Sequence, residues 1–331
     1  MRVSALGEHG LLERIARRIG PPPPSEVWAG DDAAVVPWPD AQLLLTTDVV
    51  VEGIDFRLEW SSPEDAGWKA VAASVSDIAA MGGRPQHAVA SLALPAETPV
   101  ALVDELLDGM LAAAARWGVS LVGGDLSGAT ELSLAIAAVG AAGQGGPVLR
   151  SAACPGDCLC VTGSLGGARA GLVALERGAR SPDPETEAAR ARQLRPLARV
   201  DEGVALAAAG ARAMIDISDG LVVDLGRLMA ASGTGCDVDA DAVPVDPAVE
   251  PVARRWALDA LETALVGGED YELLLTMEET LVDAAHTSLE AIGTPLTRIG
   301  VVTEGPARIG GRELASWREE SWEHLRPRLR G

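Results

Sequence analysis

The sequence predicts an α/β (α+β) protein of two domains, and three observations predict it. Apolar strand-like runs alternate with helix-like runs along the whole chain, the pattern of layered sheets and helices. The composition is 48% hydrophobic, led by Ala, Val and Leu and with 37 glycines, which is that of a folded α/β chain rather than a disordered or fibrous one. Gly and Pro cluster at "GQGGPVLRSAACPGD" (143–157), cutting 331 residues into two lengths ordinary for single domains. The expected domains are 1–148 and 149–331.

The elements follow in order. The opening "MRVSALGEHGLLERIARRIG" reads as a charged amphipathic helix with Leu11, Leu12, Ile15 and Ile19 on one face, ended by the prolines at 21–24. "LLLTTDVVV" (43–51) reads as one strand buried on both faces, with Asp48 in its middle. "SSPEDAGWKAVAASVSDIAAMGG" (61–83) is the clearest helix. Ser62 is its N-cap, Pro63 takes the first position, Glu64 and Asp65 fill the positive first turn, and Gly82 and Gly83 close it. "VASLALP" (89–95) is expected as a strand, 99–118 as a helix, and "VSLVGGD" (119–125) as a strand ending in an acidic turn. After the boundary, "CLCVTGSLGGARAGLVALERG" (158–178) reads strand, glycine loop, helix, and residues 179–200 read as an exposed connection. "AMIDISDGLVVDLGRLMAASG" (213–233) is again strand, acidic turn and helix, followed by turn-and-strand units in 262–277 and 293–305.

Charge and composition exclude several functions. A net charge of −21, with Lys69 the only lysine, is wrong for gripping a nucleic-acid backbone. The longest apolar stretch, "LSLAIAAVGAAG" (132–143), is too short to span a bilayer, and the charged opening does not read as a secretory signal, so a cytoplasmic protein is expected. Cys154, Cys158, Cys160 and Cys236 are expected as reduced core thiols rather than as a zinc site or a disulfide. His9, His87, His286 and His324 are scattered without ligand spacing.

The chemistry lies in the carboxylates. Asp31 and Asp32 ("GDDAAVV"), Asp48 ("TTDVV"), Asp77 ("VSDIAAMG"), Asp125 ("GGDLSG"), and Asp216 and Asp219 ("IDISDG") sit at strand–turn junctions or on an apolar helix. An Asp before Gly is ordinarily a turn residue or N-cap, so no single one is informative. Asp77 resists that account, since Val71, Ser74, Val75, Ile78 and Met81 make its helix small or apolar all round. Together they suggest a basin of hard oxygen ligands. That basin suits Mg²⁺ and polyphosphate, with Thr46 and Thr47 able to add a hydroxyl or carbonyl oxygen. A P-loop, the protein-kinase motif set and a Rossmann GxGxxG are all absent, and "GSLGGARAG" is a weak glycine loop on its own. The residues alone reach no further than an ATP–magnesium enzyme.

The ordered motifs "GDDAAVV", "TTDVVVEGIDF", "KAVAASVSDIAAMGGRP", "LVGGDLS", "RSAACPGDCLCVTGSLGGARAGL", "IDISDGLVVDLG" and "GGEDYELL" resemble the thiamine-monophosphate kinase family. That family belongs to the aminoimidazole ribonucleotide synthetase-like superfamily. The resemblance implies the two-domain fold of that superfamily, with an N-terminal domain that forms a barrel across a homodimer axis and a C-terminal α/β domain. It implies transfer of the ATP γ-phosphoryl to the phosphate of thiamine monophosphate, with several Mg²⁺ ions.

Carried over residue by residue, the resemblance places metal ligands at Asp32, Thr46, Thr47, Asp48, Asp77, Asp125, Asp216 and Asp219. Of these, Asp48, Asp77, Asp125 and Asp216 are the expected catalytic set. Nucleotide contacts fall on Gly124, Asp125, Arg150 and Ser218, and thiamine contacts on Asp55, Glu269 and Trp322. Many members carry His where Asp55 stands. Two alternatives remain open at this level: another ATP-using member of the superfamily, and a catalytically silent nucleotide-binding scaffold.

Overall fold

The computed structural model describes residues 21–28, 31–39, 41–178 and 184–317, so the amphipathic opening helix and Trp322 lie outside the described residues. The first half contains β1 (Ala34–Trp38), β2 (Ala41–Val51), α1 (Pro63–Ala80), β3 (Gly83–Leu94), α2 (Val100–Trp117), β4 (Ser120–Gly128) and β5 (Ser133–Ala142). Its sheet has the order β1-β2-β5-β3-β4, antiparallel except for the β3–β4 pair. The sequence sets α1 as expected: Ser62 and Asp65 close a reciprocal capping box, and Pro63 opens the helix. Gly67 and Gly109 then let α1 and α2 meet backbone to backbone. A Cβ on either would lie 2.1 or 2.0 Å from a carbonyl oxygen of the other helix.

Both helices cover the same face of the sheet, and their Val71, Val75, Ile78, Leu106 and Met110 close over Leu44, Val50, Leu134 and Ile136. The other face stays open, which corrects the reading of β2 as buried on both sides. Leu45 and Val49 are 45% and 56% exposed and share that face with Thr47, while Leu44, Thr46, Asp48 and Val50 turn toward α1. The triple-Leu and triple-Val runs suggested a strand sandwiched by helices. Here they alternate across an antiparallel sheet with one helical layer. The acidic turn expected after β4 is also absent: the strand continues through Gly124 and Asp125 to Gly128, paired with β3.

The second half contains β6 (Cys158–Thr162), α3 (Gly167–Gly178), α4 (Glu187–Leu194), α5 (Val200–Ala208), β7 (Ala213–Asp216), α6 (Leu221–Ser232), β8 (Gly235–Val238), α7 (Val249–Trp256), α8 (Ala260–Val266), β9 (Leu273–Met277), α9 (Glu279–Glu290), β10 (Leu296–Thr303), β11 (Arg308–Ile309) and β12 (Arg312–Glu313). Its sheet runs β12-β11-β8-β10-β6-β9-β7. Here the central strands are buried on both faces. Leu159, Val161 and Leu274 join one core with α6, and Cys158, Cys160 and Leu273 join another with α5 and α9. Cys158, Cys160 and Cys236 are buried thiols, but Cys154 is exposed and is not a core thiol.

Part of the expected exposed connection is helix. In α4, Ala189 and Gln193 stand one turn apart and are buried, and the Ala189 carbonyl packs on Gly171 of α3. The charges of "EAARARQL" hid that stripe. The two halves are joined by Trp68 and Trp117, whose indole N–H groups donate to the carbonyls of Pro196 (2.8 Å) and Ala198 (3.1 Å). Among the described residues, no helix is long and apolar enough to cross a membrane.

Candidate active site

The cleft between the halves is where the acidic motifs meet. Asp32 precedes β1, Thr46 and Asp48 project from β2, Asp77 lies near the end of α1, and Asp216 is the last residue of β7. Asp32, Asp77 and Asp216 each place a carboxylate oxygen within 4.8 Å of the others. Thr46 Oγ1 donates to Asp77 Oδ2, and Ser76 Oγ donates to Asp216 Oδ2 at 2.6 Å, so the cluster bridges both halves. The turn after β7 carries Ser218 and Asp219. It is shaped by Asp224, whose carboxylate accepts from the backbone N–H groups of Asp219 (2.9 Å) and Gly220 (3.1 Å).

Electrostatically the cluster is short of positive charge. Burial, then mutual repulsion, holds Asp77 and Asp216 well above the usual carboxylate range, and burial also raises Asp48. Asp31 is pushed up to about 6 by burial beside Asp32. The cation pressed into the group is Arg150, which grips Asp32 bidentately through Nε (2.8 Å) and Nη2 (2.5 Å) while its backbone N–H donates to Asp31. Asp48 Oδ2 is buried without a partner among the described residues. An unpaired carboxylate oxygen beside crowded acids, with no His or Cys in the group, has the donor chemistry of a hard divalent cation such as Mg²⁺. Asp32, Asp48, Asp77, Asp216 and the Thr46 hydroxyl are placed to hold it.

A cavity of about 510 Å³ opens beside this cluster. Asp48, Asp77, Arg150, Asp216, Ser218 and Asp219 line it, together with Asp55 and Glu269. Apolar and aromatic groups, including Phe56, Trp60, Leu172 and Val266, supply the rest of its wall, enough for a flat organic moiety next to a phosphate.

Five expected site residues fall elsewhere or behave differently. Gly124 and Asp125 lie on edge strand β4. The register aligns Asp125 with Ser91, Ala135 and Val49, which puts it on the outer face, opposite to Asp48 and three strand spacings (roughly 14 Å) from β2. Thr47 points to that outer face as well, for the period-2 reason that separates it from Thr46 and Asp48. Glu269 does not present a free carboxylate to a cationic ring. Lys69 Nζ lies 2.5 Å from its Oε1, and Gln193 Nε2 donates to its Oε2 at 2.5 Å. Asp55 Oδ2 accepts from Val51 N–H at 2.8 Å within its own turn.

The glycine loop "GSLGGARAG" is filled from within. The Asp270 carboxylate accepts from Gly166 N–H (2.6 Å) and Ala168 N–H (3.1 Å) at the start of α3, and burial pushes it up to about 7. Lys69, Gln193 and Arg227 were missed as cavity residues. The signal for Lys69 was available, because a sole lysine within an otherwise small, apolar helical face asks for a buried partner.

The N-terminal domain of the AIR synthase related protein family matches residues 30–142, and its C-terminal domain matches 154–310. Thiamine-monophosphate kinase of Mycobacterium tuberculosis is 37% identical over 305 residues, covering 92% of this chain and 87% of the relative. The chain belongs to the thiamine-monophosphate kinase family. The Aquifex aeolicus thiamine-monophosphate kinase is 37% identical over 326 residues, covering 98% of this chain and all of that one. The solved structure of AaThiL complexed with AMPPCP and TMP, also of this kinase family, superposes with a TM-score of 0.86 at 34% identity, covering 95% of this chain and 96% of that chain.

Proposed function

We propose that this kinase-family chain transfers the γ-phosphoryl group of ATP directly to the phosphate of thiamine monophosphate, yielding thiamine diphosphate and ADP with Mg²⁺ present. The observation that carries the site assignment is the convergence of Asp32, Asp77 and Asp216 within 4.8 Å, with Asp48 Oδ2 lacking a partner among the described residues at the edge of a 510 Å³ cavity. The acceptor is already an anion and needs no strong base. The obstacle is repulsion between two polyanions, and bound Mg²⁺ supplies the charge that offsets it. The residues of the chain fix geometry: Asp48 on a strand, Asp77 on a packed helix and Asp216 at a strand end hold their carboxylates on rigid backbone. Arg150, held on Asp32, has a planar fork suited to phosphate, and Ser218 and Asp219 border the same space. Trp60 and Phe56 are placed to cover an aromatic ring, and Trp322 remains proposed as a thiamine contact.

We further take the enzyme to be a cytoplasmic homodimer with domains 1–148 and 149–331. The apolar outer face of the first sheet, with Leu45 and Val49 exposed, supports pairing with a second copy. Gly124, Asp125 and Thr47 would then act at the rim of that interface rather than from within one chain's own cluster. The test is ADP release measured with thiamine monophosphate, thiamine or no acceptor, each with and without Mg²⁺. Release that needs both thiamine monophosphate and Mg²⁺ is expected. Release indifferent to the acceptor or to the metal would contradict the assignment, and release driven instead by an aminoimidazole-pathway ribonucleotide substrate would point to the sibling activity.

A further inference from the structure

Arg227 brings a second guanidinium to the cavity that Arg150 lines, and only one corner of it is committed. It stands on α6, and its side chain is 35% exposed. Both of its close contacts are made by Nη1, to Asp219 Oδ2 at 2.6 Å and to Asp224 Oδ1 at 2.8 Å. Nη1 carries two hydrogens, one for each carboxylate, and Nε and Nη2 have no partner among the described residues. Arg150 is committed the other way, with Nε and Nη2 both on Asp32.

The anchor is itself fixed. The Asp224 side chain is fully buried, and its other oxygen accepts from the N–H groups of Asp219 and Gly220. Neutralising these two acids requires only a point of positive charge. A guanidinium brings in addition a planar edge of donors, held in place before any ligand arrives. Arg150 and Arg227 are also close enough to repel. Burial and the Arg150 charge both oppose the charged form of Arg227, which Asp224 and Asp219 sustain. Two guanidinium groups lining one cavity suit an anion that bridges them.

We propose that Arg227 is a further phosphate-binding residue of the site, its Nε–Nη2 edge donating to a phosphate oxygen of a bound substrate while Nη1 stays anchored on Asp219 and Asp224. The inference rests on the kinase reading above for the identity of the two phosphate-bearing substrates. The nucleotide and the acceptor both carry such oxygens, and the experiment separates them.

The experiment is calorimetric titration of the full chain with Mg²⁺ present, in wild type, Arg227→Met and Arg227→Lys. The titrants form two pairs: a non-hydrolysable ATP analogue with adenosine, and thiamine monophosphate with thiamine. In both variants the phosphorylated member of at least one pair is expected to bind about 10- to 100-fold more weakly, its unphosphorylated counterpart staying within about threefold. The pair that responds identifies which phosphate Arg227 holds. Lysine can still face Asp219 and Asp224 with its one nitrogen, so Arg227→Lys should melt near the wild-type temperature and yet not recover the lost affinity. It also keeps the test readable if Arg227→Met does not fold. Unchanged binding of both phosphorylated ligands, equal losses for phosphorylated and unphosphorylated members, or full rescue by lysine overturns the proposal. Turnover is measured alongside. A phosphate-dependent loss in a chain that forms no thiamine diphosphate would fail the kinase reading and keep this one, and formation without such a loss would do the reverse.

Discussion

Asp77→Asn is expected to give a protein that is folded, more heat-resistant than the wild type without divalent ions, and at least about 10³-fold slower in forming thiamine diphosphate. The two halves of this result have one cause. Asp77 sits within 4.8 Å of Asp32 and Asp216 in a desolvated group, so its charge is costly until a cation arrives. Asn keeps the shape and can still accept from Thr46, but it removes one repelling charge and one ligand.

The sign of the pH dependence follows. Burial holds the Asp77 carboxyl protonated well above the ordinary aspartate range, so above about pH 4 the native protein binds more protons than the unfolded chain. The stability tied to this group is whole below about pH 4 and is lost as pH rises through the native pKa. In a chelator, therefore, the variant's gain in melting temperature should be absent near pH 4 and grow toward pH 8. Added Mg²⁺ should stabilise the wild type more at high pH than at low pH. A variant no more stable than the wild type at pH 8 would mean that the acids are not strained against one another.

Lys69→Met is expected to be the most destabilising single change in the cavity wall. Lys69 is 3% exposed and its partner Glu269 28%, so the pair is nearly but not fully dry. Removing one member of a buried pair costs about 3–5 kcal/mol, and the solvent contact of Glu269 puts the expectation near the lower end, about 3 kcal/mol in a urea titration. The turn it pins is itself unfavourable. Glu269 and Tyr271 have φ of 68° and 51°, left-handed values that non-glycine residues rarely take. Backbone bonds from Glu269 N–H to the Ser218 carbonyl (2.7 Å) and from Tyr271 N–H to the Ile217 carbonyl (2.9 Å) hold it against the turn that follows Asp216. Loosening it should raise KM for thiamine monophosphate more than KM for ATP. The double variant Lys69→Met/Glu269→Gln should recover most of the lost stability, because no unpaired charge remains. If the double variant is as unstable as the single, the lysine acts through packing of its stem and not through charge.

Much of this arrangement was legible in the residues, and the failures have physical reasons. Asp77 stood out because nothing on a helix that is apolar all round explains a carboxylate, and the structure places it against Asp32 and Asp216. The helix ends were readable from Ser62, Pro63 and Gly82, since caps are local chemistry. Which face of β2 is covered was not local: it depends on α1 and α2 packing on the same side, and the apolar runs on both faces masked the alternation of Leu44 with Leu45. For the same reason Thr47 was grouped with Thr46. Asp125 was read as a turn residue from "GGD", but a Cβ on Gly124 would lie 1.8 Å from the Ala90 carbonyl oxygen, so the strand needs that glycine for close pairing, not for a turn. Gln193 was invisible because α4 buries only a narrow stripe of an outwardly charged helix.

Acids from separate elements are expected to share divalent ions in the cleft. Anomalous scattering from crystals grown with Mn²⁺ and a non-hydrolysable ATP analogue tests this most directly. The expected result is a strong peak enclosed by Asp48, Asp77 and Asp216. Peaks confined to other parts of the molecule, with these three carboxylates left uncoordinated, would contradict it.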